Sequence, residues 1–161
     1  MTSVRLNLDP LKDLQTALQG LEAGRAQVGI FADKAERRPD SSREPIDNPS
    51  LGEEHEFGVG NIPQRSFLEM PLRLYLVDEI YRSRAGFGQL LAASLTEADG
   101  VTKLLARLGK AAEAVVDLAF SSGGFGHWPK LHKETLLAKA PETRILIETT
   151  QLWESVSSRV V

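Results

Sequence analysis

The stretch from Val101 to Ala119 constrains the fold more than any other. Val101, Leu104, Leu105, Leu108, Ala112, Val115 and Ala119 recur every three or four residues. That spacing places them on one face of a helix of about five turns. A helix with one apolar side is held mainly by whatever covers that side, so the rest of the chain has to supply a cover. With 161 residues, one domain around one core is expected.

The cover reads as helices and short strands. Val4, Leu6 and Leu8 alternate with polar residues, the pattern of a strand. Asp9 and Pro10 then open a helix, the first as a cap and the second at the position that needs no N–H. Leu11, Leu14, Leu18 and Leu21 form its apolar stripe, and Gly24 ends it. Gln27–Phe31 is a second short strand. A short helix capped by Ser50 ends at Gly58, and a turn runs through Gly60, Asn61, Ile62 and Pro63. A longer helix spans about Met70 to Arg84, with apolar residues dense enough to predict burial on more than one side. Phe87, Leu90, Leu91 and Leu95 predict another helix, with a turn at Asp99-Gly100. Ser121–Pro129 is a glycine-rich, flexible connection. A short helix at about Lys133–Ala140 precedes an extended stretch from Ile145, a helical turn near Gln151–Glu154 and a last strand. Strands near both ends with helices between them give an α+β fold: a small antiparallel or mixed sheet covered by helices.

Residues 32–49 differ from the rest. They are polar, carry four basic and five acidic side chains, and contain three prolines. Such a segment builds no core and is expected to be a long loop or mobile arm that orders against neighbours.

Chemistry-bearing patterns are sparse. The chain has no cysteine and three histidines, His55, His127 and His132. Disulfides and thiolate sites are therefore excluded. His55-Glu56 begins a zinc-protease motif, but no second histidine follows at helical spacing. Ser121-Ser122-Gly-Gly lacks the strand–turn–helix setting of a nucleophile elbow, and no Gly-Lys-Ser/Thr follows Gly126. Glu53, Glu54 and Glu56 read as a solvated helix face. No enzyme activity, metal or cofactor is expected. Net charge is -3 and the sequence pI about 5.7, which gives no strong drive toward nucleic acid. Arg82, Arg84, Lys103, Arg107 and Lys110 supply at most a modest basic stripe. The first residues lack a cleavable apolar leader, and no apolar run reaches membrane-spanning length. The chain is therefore expected to start in the cytoplasm.

The most informative segment is Leu51–Leu68. His55 and Phe57 sit near a helix end, Gly58 and Gly60 permit sharp turns, Pro63 stiffens the exit, and Phe67 and Leu68 re-enter the core. Arg65, flanked by apolar anchors, is placed to reach a carboxylate or carbonyl on another element. The pattern His55-Glu-Phe-Gly58 followed by Ile62-Pro-Gln-Arg-Ser-Phe-Leu68 resembles the signature of phage virion-morphogenesis and tail-completion proteins, a group that includes head–tail joining proteins. Three more segments match in order: Val28-Gly-Ile; Trp128-Pro-Lys-Leu131 with Thr135 and Lys139; and Ile145-Leu-Ile-Glu-Thr149 with Leu152, Ser155 and Val156. Two positions depart from the pattern. Thr150 stands where glycine is common, which predicts a tighter helix in place of a glycine bend. His132 stands where serine is common.

The resemblance implies a structural virion protein assembled in the host cytoplasm. It implies a closed ring, commonly six-fold, at the head-proximal end of the tail. Such a ring contacts a tail tube or sheath protein on one side and a neck or connector protein on the other. Genome DNA passes through the lumen without specific binding. A head-side connector, or a nucleic-acid-binding or regulatory domain, is the alternative. His55, Phe57, Gly58, Pro63, Arg65, Phe67, Trp128, Thr149, Leu152 and Trp153 are the expected motif and subunit-interface residues. Trp153 is read either as an anchor at a subunit contact or as a core tryptophan over the sheet.

Overall fold

Helix α5, Gly100–Ser122, is the spine of an α+β fold. Its apolar face is buried along its length through Leu105, Ala112, Val115, Val116, Ala119 and Phe120. The computed structural model describes residues 9–38, 45–97, 99–139, 144–147 and 149–161. Of residues 9–11, 138 and 139 it describes the backbone alone. The strand expected at Val4–Leu8 and the side-chain cap expected from Asp9 lie outside the described residues.

In chain order the elements are α1 Asp9–Ala23, β1 Ala26–Ile30, α2 Asn48–Phe57, α3 Glu69–Arg82, α4 Arg84–Ser94, α5, α6 Lys133–Lys139, α7 Gln151–Ser155 and β2 Val156–Val160. A single 3-10 turn, Ala32–Lys34, follows β1. The two strands pair antiparallel, with Ala26 opposite Val160 and Ile30 opposite Val156. Arg25 and Val161 extend the ladder by exchanging backbone hydrogen bonds of 2.7 and 2.9 Å. Two strands alone are marginal in water. Here both pack on α5, and the Ser158 N–H donates to the Glu113 carboxylate of α5 at 2.6 Å. Helices α3 and α4 also pack against α5.

The core lies where α5, α2 and α7 meet. Leu51, Phe67, Val116, Ala119, Phe120, Trp128, Ile147 and Leu152 form one buried cluster. Phe120 is its centre. The Phe67 ring lies 5.2 Å away, Trp128 meets it edge-on at 5.8 Å, and Trp153 stacks on it at 5.9 Å. Trp153 also donates its indole N–H to Asp117 at 2.7 Å. Trp153 thus lies against α5 of its own chain.

Several local expectations are corrected. Helix α2 starts at Asn48, and its cap is Asp47, whose carboxylate accepts the Ser50 N–H at 2.7 Å; Ser50 is not the cap. Pro49 then falls in the first turn, where it costs no hydrogen bond. That hydrogen bond and the one from the Ser50 side chain hold the Asp47 carboxyl below its ordinary value. The glycine-rich connection is a defined turn. Gly123, Gly124, Phe125 and Gly126 all take positive φ, and a Cβ on Gly124 would overlap the Trp128 ring. Ser121 and Ser122 belong to α5. The stretch after Ile145 turns instead of extending, with Leu146 at φ 60°. Thr150 takes φ 59°, so the glycine-type bend is kept by a threonine and does not become a tighter helix.

The largest correction concerns burial. Helix α3 was expected to be covered on more than one side. Only Pro71 within it is fully buried, while Leu74, Val77 and Tyr81 are exposed, Val77 to 74%. Helix α1 behaves likewise: Ala17 is buried, whereas Leu14 and Leu18 of its apolar stripe face water and Leu21 is half-buried.

Candidate functional site

The turn between α2 and α3 is built around one carboxylate. Glu56 is 6% exposed and receives four hydrogen bonds. The Ser66 hydroxyl donates to it at 2.6 Å, and the backbone N–H groups of Phe67, Leu68 and Glu69 donate at 2.8, 3.0 and 2.9 Å. These amides open α3, where free N–H groups and the helix dipole favour a negative charge. Ser66 in turn accepts the Met70 N–H at 2.8 Å. Glu56 is thus the cap of α3 and not part of a solvated face. Gly58 makes the return possible. Its φ is 75°, and a Cβ there would lie 2.9 Å from the Gln64 nitrogen.

Arg65 holds the next layer. Its N–H donates to the His55 carbonyl at 2.7 Å, and its Nε donates to the Pro129 carbonyl at 3.2 Å. The residue reaches a carbonyl on another element, as its position between apolar anchors suggested. Beside it, the Trp128 indole N–H donates to the Ser66 carbonyl at 2.9 Å. The first and third sequence motifs are therefore joined through backbone carbonyls. Burial pulls the Arg65 guanidinium below its ordinary value.

Above this layer lies a cleft of about 630 Å³. Five of the expected motif residues line it: His55, Pro63, Arg65, Thr149 and Leu152. Leu131, His132 and Thr135 of the Trp128 segment join them. Phe57 is exposed away from the cleft, Phe67 and Trp128 sit in the core beneath it, Gly58 shapes the turn, and Trp153 covers Phe120. Three of the four segments that carry the resemblance meet at this cleft although they are far apart in sequence, while Val28-Gly-Ile lies in β1 and does not line it.

Arg37 also lines the cleft and was not expected there. Its guanidinium donates to Asn48 Oδ1 at 3.4 Å and to Thr149 Oγ1 at 3.3 Å. Buried Asn48 donates to the carbonyls of Lys34 and Glu36, both at 3.1 Å. The described flanks of the 32–49 segment are thus tied to their own chain. Residues 39–44 lie outside the described residues.

Among the described residues, no group of three His, Cys, Asp or Glu is placed to hold a metal ion, and no helix is long and apolar enough to cross a membrane. The cations of the expected basic stripe are engaged locally. Lys103 meets Glu97 and Asp99 at 3.0 Å, Lys110 meets Glu113 at 2.7 Å, and Arg82 meets Glu79 at 3.1 Å. Arg84 lies over the Tyr81 ring and Arg107 over Phe87. No family model, curated protein or solved structure matches this chain.

Proposed function

We propose that this chain is a structural subunit of a long-tailed phage that closes an oligomeric ring at the head-proximal end of the tail and joins it to the neck. The observation that carries this reading is the pair of uncovered apolar helix faces. Leu74, Val77 and Tyr81 are spaced i, i+3, i+7 on α3, and Leu14 and Leu18 are spaced i, i+4 on α1. A monomer gains nothing from a regular apolar stripe in water, whereas a ring contact between unlike faces needs two different patches on one subunit. The resemblance of four sequence segments, in order, to the pattern of tail-completion proteins is what points to this particular assembly. The chemistry is geometric: complementary surfaces hold the last tail ring and the connector together, and the genome passes through the lumen.

The test is size-exclusion chromatography with light scattering, alone and with purified tail tubes. The chain is expected to form a defined ring, or to bind stoichiometrically to tube ends. Leu74→Asp with Val77→Asp is expected to abolish both while leaving the circular dichroism spectrum unchanged. A wild-type chain that stays monomeric and ignores tail tubes contradicts the reading.

A further inference from the structure

The Arg65 side chain is 6% exposed yet lines the cleft. Of the five N–H donors of a guanidinium, only Nε–H meets an acceptor among the described residues, the Pro129 carbonyl. No described carboxylate forms an ion pair with it. The guanidinium is partly desolvated and its terminal N–H groups open into the cleft, so an anion seated there gains a charge-assisted contact. The remaining guanidinium edge presents parallel N–H groups, the fork that matches a carboxylate.

Six aliphatic side chains, Ile46, Leu51, Ile62, Leu131, Leu146 and Leu152, stand among the polar ones on the lining and offer an apolar seat. Arg37 and Glu54 are also on the lining and offset each other, which leaves Arg65 as one net positive charge. A phosphate dianion therefore fits poorly, and a single carboxylate with a hydrocarbon body fits well. The volume of about 630 Å³ lies within the range of ligand-binding clefts.

We propose that this cleft is a binding site for a carboxylate on an aliphatic body, with Arg65 as the anion anchor and the leucine and isoleucine walls as the apolar seat. The ligand chemistry has two sources, an acidic side chain flanked by leucines on a partner protein, or a free aliphatic acid. The site does not depend on ring formation, and its test uses the full chain whatever its oligomeric state.

The probes are hexanoate, hexanol, and the capped tripeptide Leu-Glu-Leu with its Leu-Gln-Leu counterpart. The readout is the Arg65 Nε–Hε NMR signal and the Leu131 and Leu152 methyl signals in the unmodified chain. Hexanoate should move all of them saturably, with hexanol weaker by about tenfold or more. Arg65→Lys, if folded by circular dichroism, should weaken hexanoate by about tenfold, because a point charge replaces the fork. If the variant does not fold, the titration of the unmodified chain decides alone. A Glu tripeptide that binds more tightly than hexanoate and than its Gln form assigns the ligand to a partner protein. A Glu tripeptide no better than hexanoate assigns it to a free acid. Equal binding of hexanoate and hexanol, or saturation that leaves the Arg65 signal unmoved, overturns the proposal.

Discussion

Glu56 concentrates the stability of the α2–α3 turn in one side chain, because four donors depend on it. Removing it leaves three buried or half-buried amides at a helix start without an acceptor. Glu56→Ala is expected to cost about 3 kcal/mol, and Glu56→Gln about half of that, in denaturant unfolding with an unchanged m value. Local spacing rules did not reveal this role. The donors lie ten or more residues beyond Glu56, across a bend, whereas capping patterns in sequence span about three residues. Thr150 is the opposite case, where the sequence pattern was informative and the inference drawn from it failed. The pattern expects glycine there, and the backbone takes the left-handed conformation that glycine prefers. A β-branched residue at φ 59° is strained, and the hydrogen bond of 2.6 Å from its hydroxyl to Glu154 is exposed. Thr150→Gly should therefore raise the unfolding free energy by about 0.5–1 kcal/mol, the strain relief exceeding the added freedom of the unfolded chain.

At the scale of elements, the long helix was the most legible feature, since an apolar repeat over many turns leaves little choice of structure. Among the described residues, the other helices and the two paired strands were also readable to within a few residues, whereas the stretch from Ile145 turns where an extended run was expected. What periodicity cannot reveal is which apolar face its own chain covers. The leucines of α1 and α3 carry the same pattern as those of α5, yet only the face of α5 is buried. The joint between α5 and β2 was likewise invisible, because it depends on Glu113 meeting a strand 45 residues later. Burial opposes ionisation of Glu113, but the hydrogen bonds from Lys110 and from Ser158 together hold its carboxyl below the ordinary carboxylate range. A group depressed on folding adds stability above its unfolded pKa and loses it as pH falls through the folded value. Glu113→Gln should thus be less stable than the unmodified chain by about 1 kcal/mol at neutral pH. The difference should shrink toward zero on acidification below the ordinary carboxylate range, as followed by thermal melts across pH.

For the whole molecule, the uncovered faces and the folded core are separable. Val77 is 74% exposed and makes little contribution to its own subunit. Val77→Asp alone should change the unfolding free energy by no more than about 0.5 kcal/mol while weakening self-association in light scattering. The sheet carries a different consequence. Its two strands are separated by ~130 residues of chain, so closing that loop costs on the order of 4 kcal/mol of entropy beyond a constant. During synthesis, β1 has no partner until β2 has left the ribosome, and the sheet-facing side of α5 stays wet until then. Maturation of this subunit is therefore gated by the late arrival of a five-residue strand, and a nascent chain halted before Val156 lacks the clasp that unites its two halves.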